Sequence, residues 1–242
     1  MIGELIPRSA LSADEVSDMY RLFRQHFERV SEHRFRLDLE QKHWVIRLRD
    51  RHGLHGFSSL RFLRTKCAGQ SLNVLYSGDT IVTSEARGTT ILARTWIDSV
   101  RRLNQYYGAT DLHWLLLVSG FRTYRLLPVF WREFFPRYSE ATPADVRATI
   151  DSLSASVFGE SYNPAEGIVR FTEPQPLRAE LSHIPENRLE DPHVRFFAEH
   201  NPGHVNGDEL VCWTRLSHDN LTEAGLRMWH AGDRAAPLSQ VG

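Results

Sequence analysis

Apolar positions along this chain change their spacing several times, and the changes lay out a series of elements. Val16, Met19, Tyr20, Phe23 and Phe27 recur at helical intervals and predict a helix over 13–30. Its start is marked by Ser12-Ala13-Asp14-Glu15, a capping box in which Ser12 and Glu15 each bind the other's backbone amide, with Leu11 and Val16 placed as a hydrophobic staple. The polar segment 31–41 has room for another helical turn. Alternating patterns then predict strands over 44–49, 54–63 and 71–82, the first two joined by the turn Asp50-Arg51-His52-Gly53. A polar turn over 83–90 leads into an amphipathic helix over 91–107, with Gly108 as its stop. Segment 112–118 is apolar on both faces, as a central buried strand should be. An aromatic-rich helix is expected over 121–135, bent or interrupted at Pro128.

The last hundred or so residues carry a weaker pattern. Thr142-Pro143 opens a helix with one apolar face formed by Val146, Ile150, Leu153 and Val157. A strand is expected over 167–172, a proline-rich surface excursion over 172–192, a short helix over 193–199, a turn at Asn201-Pro202-Gly203 and a strand over 209–216. Residues from about Gly232 are expected to fray.

Composition narrows the function classes. With 242 residues, 41% of them hydrophobic, the chain can bury a substantial core in one large domain or in one domain with an extension. A net charge of −1 gives no basic excess for nucleic acid, and the basic stretches 47–51 and 61–66 lie on strand-like segments, where they read as solvated faces. Cys67 and Cys212 form no CxxC pair, which argues against a disulfide framework or a zinc ribbon. Residues 1–7 lack the features of a signal peptide, and the longest apolar block, 114–118, is strand-sized, so a cytoplasmic protein with no membrane span is expected. His200 and His204, with His193 nearby, invite a metal reading, but Pro202 and Gly203 break the single helical face such a site wants, and no metal is expected.

The most informative chemistry lies in 73–107, where a strand feeds a short turn and then a helix. Free amides at a helix start and the positive end of its dipole favour a phosphate or pyrophosphate. Arg87 adds a fixed positive charge, and Gly88 would let a ligand approach the backbone. This unit resembles the acyl-thioester-binding core of the GNAT superfamily of N-acyltransferases, which hold the pyrophosphate of coenzyme A in an Arg/Gln-x-x-Gly-x-Gly/Ala turn. The matching stretch is Arg87-Gly88-Thr89-Thr90-Ile91-Leu92; Arg87 fits the first position, Thr90 replaces the first motif glycine and Leu92 the final Gly/Ala. The order of elements over 11–138 is also similar to that fold.

The resemblance implies an α/β fold with a mixed sheet and flanking helices, a GNAT-like core over 1–140 and a C-terminal extension over 141–242. It implies an N-acyltransferase that uses acyl-CoA or an acyl-carrier protein as donor, with no other cofactor, and the amine of a small molecule or peptide as acceptor. The thioester arm would run along Ile81, Val82 and Thr83 into a gap before the strand over 112–118, and the pyrophosphate would meet Arg87, Gly88, Thr89 and Thr90. Tyr124, or secondarily Tyr138, would be the general acid for the thiolate; the competing reading packs Tyr124 in the core beside Phe121 and Trp131. The departures at Thr90 and Leu92 leave open a GNAT-like domain that binds a thioester or a protein partner without catalysis.

Other candidates come from the residues themselves. Asp79 interrupts an apolar strand, where burial should raise its pKa toward a useful general-base value; the alternative is a bulge or turn at Ser77-Gly78-Asp79. Tyr76 and Thr80 share that region, and His43 and Trp44 read as core or rim. No Cys or Ser sits in a nucleophile motif, so direct transfer is expected. The extension would cap the acceptor site, lengthen an acyl tunnel or mediate homodimerisation.

Overall fold

The structure, a computed structural model, describes residues 1–67, 70–109 and 111–231. Its strands are β1 (Ile2–Pro7), β2 (Trp44–Asp50), β3 (Gly53–Cys67), β4 (Gln70–Val82), β5 (Leu112–Val118), β6 (Tyr162–Asn163), β7 (Ile168–Val169) and β8 (Glu209–Arg215). They form one sheet in the order β1-β2-β3-β4-β5-β8-β7-β6. Neighbours pair antiparallel except β4 and β5, which run parallel. The helices are α1 (Ala13–His26), α2 (Glu32–Glu40), α3 (Ser84–Arg87), α4 (Ile91–Tyr107), α5 (Phe121–Tyr124), α6 (Leu126–Phe130), α7 (Ala144–Phe158), α8 (Ala179–Ser182), α9 (Pro192–His200) and α10 (Glu223–Ala231). The expected mixed α/β sheet with flanking helices is therefore present.

Local signals set several of these elements. Ser12 Oγ accepts from Glu15 N and Glu15 Oε2 accepts from Ser12 N at 2.9 Å, closing the capping box of α1. Gly108 ends α4 at φ 58°, a left-handed position that suits a residue without Cβ. β5 buries both faces. Trp114, Leu116 and Val118 join the core beneath α4, while Leu115 and Leu117 join a second core under α7. A third cluster, with Phe23, Phe35, Val45 and Phe57, lies under α1 and α2.

Long-range pairing changes other elements. α1 stops at His26, because the next residues leave the helix to pair with the segment before α8: Phe27 bridges Leu177, and Glu28 N donates to Pro176 O at 2.8 Å. Segment 121–135 is not one helix. Two short helices, α5 and α6, are followed by extended residues, with Trp131 bridging Leu221 and Phe135 bridging Trp213. β1 was not anticipated; it is the sheet's edge and pairs along its whole length with β2. The polar turn before α4 contains the single helical turn α3. The strand expected over 167–172 shrinks to the two residues of β7. Residues from Gly232, expected to fray, lie outside the described residues.

The C-terminal part enters the same sheet as the rest. β8 pairs antiparallel with β5 from His113↔Arg215 to Val118↔Leu210, and β7 and β6 follow on its far side. Asn220 anchors the chain just after β8. Its Nδ2 faces Glu133 O, Thr214 Oγ1 and Arg215 O at 3.0, 3.0 and 2.9 Å, and its Oδ1 accepts from Glu133 N at 2.9 Å. Among the described residues no helix is long and apolar enough to cross a membrane. Asn220→Ala should strand several partners at once, the buried Thr214 hydroxyl among them, and lower unfolding free energy by about 2 kcal/mol, read as a fall in the urea midpoint at unchanged slope.

Candidate active site

The site begins where β4 and β5 part. Their parallel pairing runs from Asn73↔Leu112 to Ser77↔Leu116 and stops. At that point β4 has an extra residue relative to β3: Ser58 faces Thr80 and Leu60 faces Ser77, so Ser59 stands opposite both Gly78 and Asp79. Such a bulge bends and twists its strand. β5 meanwhile stays straight against β8 through Leu117↔Val211 and Val118↔Leu210. The strands diverge, and a cleft of about 770 Å³ opens between them.

Backbone groups of β4 face this opening. Thr83 gives its N–H to His55 O on β3 at 2.8 Å, so by the alternation of an antiparallel pair Ile81 also turns its backbone to β3. Thr80 and Val82 turn theirs to the gap. The Val82 carbonyl already meets His26 Nε2 at 3.0 Å, while His26 Nδ1 meets Leu22 O at 3.0 Å.

The inner end of the cleft is polar and includes Asp38, Tyr76, Asp79, Ser119 and Glu209. Glu209, the first residue of β8, accepts a hydrogen bond from Ser119 Oγ at 2.7 Å. Lys42 Nζ donates to Asp38 Oδ1 at 2.8 Å and lies 4.7 Å from the centre of the Tyr76 ring. Burial, reinforced by the negative charge of Asp38, pushes the Asp79 carboxyl up to about 7 against the pull of Lys42. Burial also raises Glu209 to about 7, although the Ser119 hydrogen bond and Lys42 act the other way. Burial raises the Tyr76 phenol well above its ordinary range. Two carboxyl groups thus sit near the neutral point in one cleft, the range in which a carboxylate can both take and return a proton.

The other end is basic. Arg87, Thr89, Thr90 and the first turn of α4 line it, together with Arg122 and Arg188. The first-turn amides of α4 have no carbonyl four residues back within the helix. Arg122 Nη1 donates to Leu181 O at 2.6 Å. Burial, and then the guanidiniums of Arg87 and Arg188, lower the Arg122 pKa, so positive charge converges there. Phe23, Phe35, Leu117, Phe171 and Leu177 supply apolar wall between the two ends.

The sequence candidates divide on this geometry. Asp79, Ile81, Val82, Arg87, Thr89 and Thr90 line the cleft. Asp79 is also the bulge residue its competing reading described, so the two readings meet in one position. Thr83 does not line the cleft and spends its amide on β3. Gly88 does not line it either; its φ is −82° and a Cβ there would meet nothing within 4 Å, so no close approach requires a glycine. Tyr124 must be corrected. Its ring is fully buried against Phe134, Phe196 and Phe197, and its hydroxyl donates to Pro136 O at 2.8 Å, so packing holds it away from the cleft. Tyr138 is half exposed beside His193. His43 accepts from Phe62 N at 3.0 Å and Trp44 donates to Tyr107 Oη at 2.8 Å, rim and core roles respectively. His204 is buried with its ring nitrogens on Asn201 O and Ser182 O at 2.8 and 3.2 Å.

Sequence reasoning missed Glu209, Lys42, Arg122 and Arg188. Glu209 left one faint signal, the second of two acids, Asp208-Glu209, that open the apolar run Leu210-Val211-Cys212-Trp213. Arg122 belongs to the segment expected as one aromatic-rich helix and Arg188 to the proline-rich excursion, and only the fold brings them to Arg87.

No protein-family model matches the chain, and no curated protein sequence is similar to it. Several solved structures are similar in part. One is a conserved protein from Enterococcus faecalis described as a probable N-acyltransferase, 13% identical with a TM-score of 0.42 over 55% of this chain and 33% of that one. A second is a GNAT-family N-acetyltransferase from Escherichia coli in complex with CoA, 18% identical with a TM-score of 0.36 over 49% of this chain and 64% of that one. A third is glucosamine-6-phosphate N-acetyltransferase from Arabidopsis thaliana, 12% identical with a TM-score of 0.36 over 47% and 82%. The chain thus spans a third of the first structure and just under two thirds of the second.

The carboxyl pair has a consequence for stability. Asp79 and Glu209 hold their protons to about pH 7 when folded, whereas an unfolded chain releases them near pH 4. Between those values the folded state binds more protons, so stability should fall as pH rises from about 4 to about 7 and then level off. Urea midpoints across this range should show that decline, and Glu209→Gln should flatten it.

Proposed function

We propose that the protein is an N-acyltransferase that moves an acyl group from acyl-CoA to an amine by direct transfer. The observation that carries this reading is the parting of β4 from β5 beside two half-buried carboxyl groups, in a cleft whose other end gathers Arg87, Arg122 and Arg188 around the start of α4. A thioester arm can pair with the backbone of Thr80 and with the Val82 N–H in the gap left by β5. The arginines and the α4 amides suit phosphate groups. Three converging guanidiniums offer more charge than the single phosphodiester of a carrier protein's arm needs, which favours a CoA donor over an acyl-carrier protein.

The acceptor enters on the acidic side. An ammonium loses one proton to Asp79 or Glu209 and becomes a neutral nucleophile. Its nitrogen bonds to the thioester carbonyl carbon, the C–S bond breaks, and the second proton lost as the amide forms goes to the departing thiolate. The carboxyl that took the first proton can return it to solvent through the open cleft. No enzyme nucleophile is required. The acceptor is then an amine of a small molecule or peptide. The departures at Thr90 and Leu92 support the non-catalytic alternative, but a pure thioester-binding domain has no use for carboxyl groups poised near neutrality.

The test is incubation with a panel of acyl-CoAs, acyl-carrier proteins and amines, following free thiol and new amide. Turnover is expected with CoA donors. Arg87→Ala should weaken CoA binding by about 1–3 kcal/mol in calorimetry. Asp79→Asn or Glu209→Gln should lower kcat by about 100-fold or more. Tyr124→Phe should leave kcat nearly unchanged. Thioester binding without thiol release across the panel would favour the non-catalytic alternative.

A further inference from the structure

Lys42 does not line the cleft but packs against two residues that do, Asp38 and Tyr76. Its side chain is only 1% exposed, although it carries a charge and lies in the turn between α2 and β2. Buried ammonium groups are costly unless a partner compensates them. The compensation visible here is one carboxylate, Asp38 at 2.8 Å, and the face of the Tyr76 ring at 4.7 Å. The ammonium has a seat cut for it. A Cβ built on Gly78 would fall 3.0 Å from both Cε and Nζ of Lys42, and 2.9 Å from Ser59 Oγ. The absence of a side chain at Gly78 is therefore what admits Lys42 to the bulge, over the residue that precedes Asp79. Ser59 is itself buried, and its hydroxyl has no hydrogen-bond partner among the described residues.

We propose that Lys42 is a positioning residue for Asp79: seated over Gly78, the residue before it, the ammonium keeps the carboxylate form of Asp79 available as a base. Its use in turnover rests on the acyltransfer reading; its effect on the carboxyl groups does not. The groups facing this pair come from several elements. Asp38, on α2, opposes ionisation of both acids, and Lys42 favours it. Tyr76 is the neighbour from β4, Arg61 on β3 acts on Tyr76, and Ser119 beyond β5 donates to Glu209. Among these, Lys42 is the cation whose place the bulge sets, over Gly78. Like charges confined together resist double ionisation. A cation seated over Gly78 therefore favours the form of Asp79 that can receive the acceptor's proton.

Infrared titration of protein labelled with carbon-13 at the aspartate carboxyl groups reads this directly, and Asp79→Asn identifies the band. In Lys42→Met, which keeps the length of the side chain, the Asp79 band should titrate about one pH unit or more higher than in the parent. Gly78→Ala, which fills the seat and leaves the lysine in the chain, should move it in the same direction. In turnover, the acidic limb of the kcat/KM profile should shift upward with the band, while KM for acyl-CoA on the plateau stays the same. An unmoved Asp79 band in either folded variant overturns the proposal. A shifted band in a protein that turns over no donor in the panel sustains the Lys42 assignment and counts against the acyltransfer reading instead.

Discussion

The structure turns on one requirement: β4 must stay paired to β3 along its whole length yet leave β5 halfway. A strand flanked on both edges cannot open a gap without losing backbone hydrogen bonds, and buried amides rarely go unpaired. The extra residue at Gly78–Asp79 resolves this. It turns β4 aside while its other edge goes on pairing with β3, shifted by one residue, down to Gly56↔Val82. The groups released on the open side are few. His26 reaches one of them from α1, and the rest face a cleft that a polar extended ligand could enter.

The polar floor is expensive, and its surroundings indicate how it is tolerated. Burying a single ion costs several kcal/mol even after relaxation. Flanking it are Val74, Leu115 and Leu117 on the α7 side and Phe35, Val45 and Ile81 on the α1 side, all buried. Each large apolar side chain contributes roughly 1.5–3 kcal/mol on burial. A handful of them can offset one strained cluster of charge. Raised carboxyl pKa values are the visible residue of that compromise, since a group that cannot be fully solvated or fully paired remains protonated instead.

Much of this was legible in the sequence where the determinants are local. α4 and β5 occupy the residues their periodicity predicts, Ile91–Tyr107 and Leu112–Val118, because a capped amphipathic helix and a short fully apolar run are set by neighbouring residues. Asp79 stood out as a charge within an apolar strand. Less legible were features settled by partners distant in sequence. Phe27 leaves α1 for Leu177, and β1 is a strand only because β2 lies beside it. Tyr124 occupied the right place in the order of elements but the wrong place in space, since α5 breaks early and α9 supplies two aromatic neighbours. Glu209 lies more than a hundred residues from Asp79, and no spacing rule could join them.

The placement of β8 also bears on how the protein is made. β5 is apolar on both faces, and β8 covers one of its edges. While a ribosome is still synthesising the middle of the chain, the first five strands can assemble, but β5 remains an uncovered, sticky margin until residues beyond Arg215 have emerged. The same late strand delivers Glu209. A nascent or prematurely terminated chain is therefore both incomplete in its chemistry and prone to associate through β5, so truncated products would be recognised by their tendency to aggregate before any residual activity could matter.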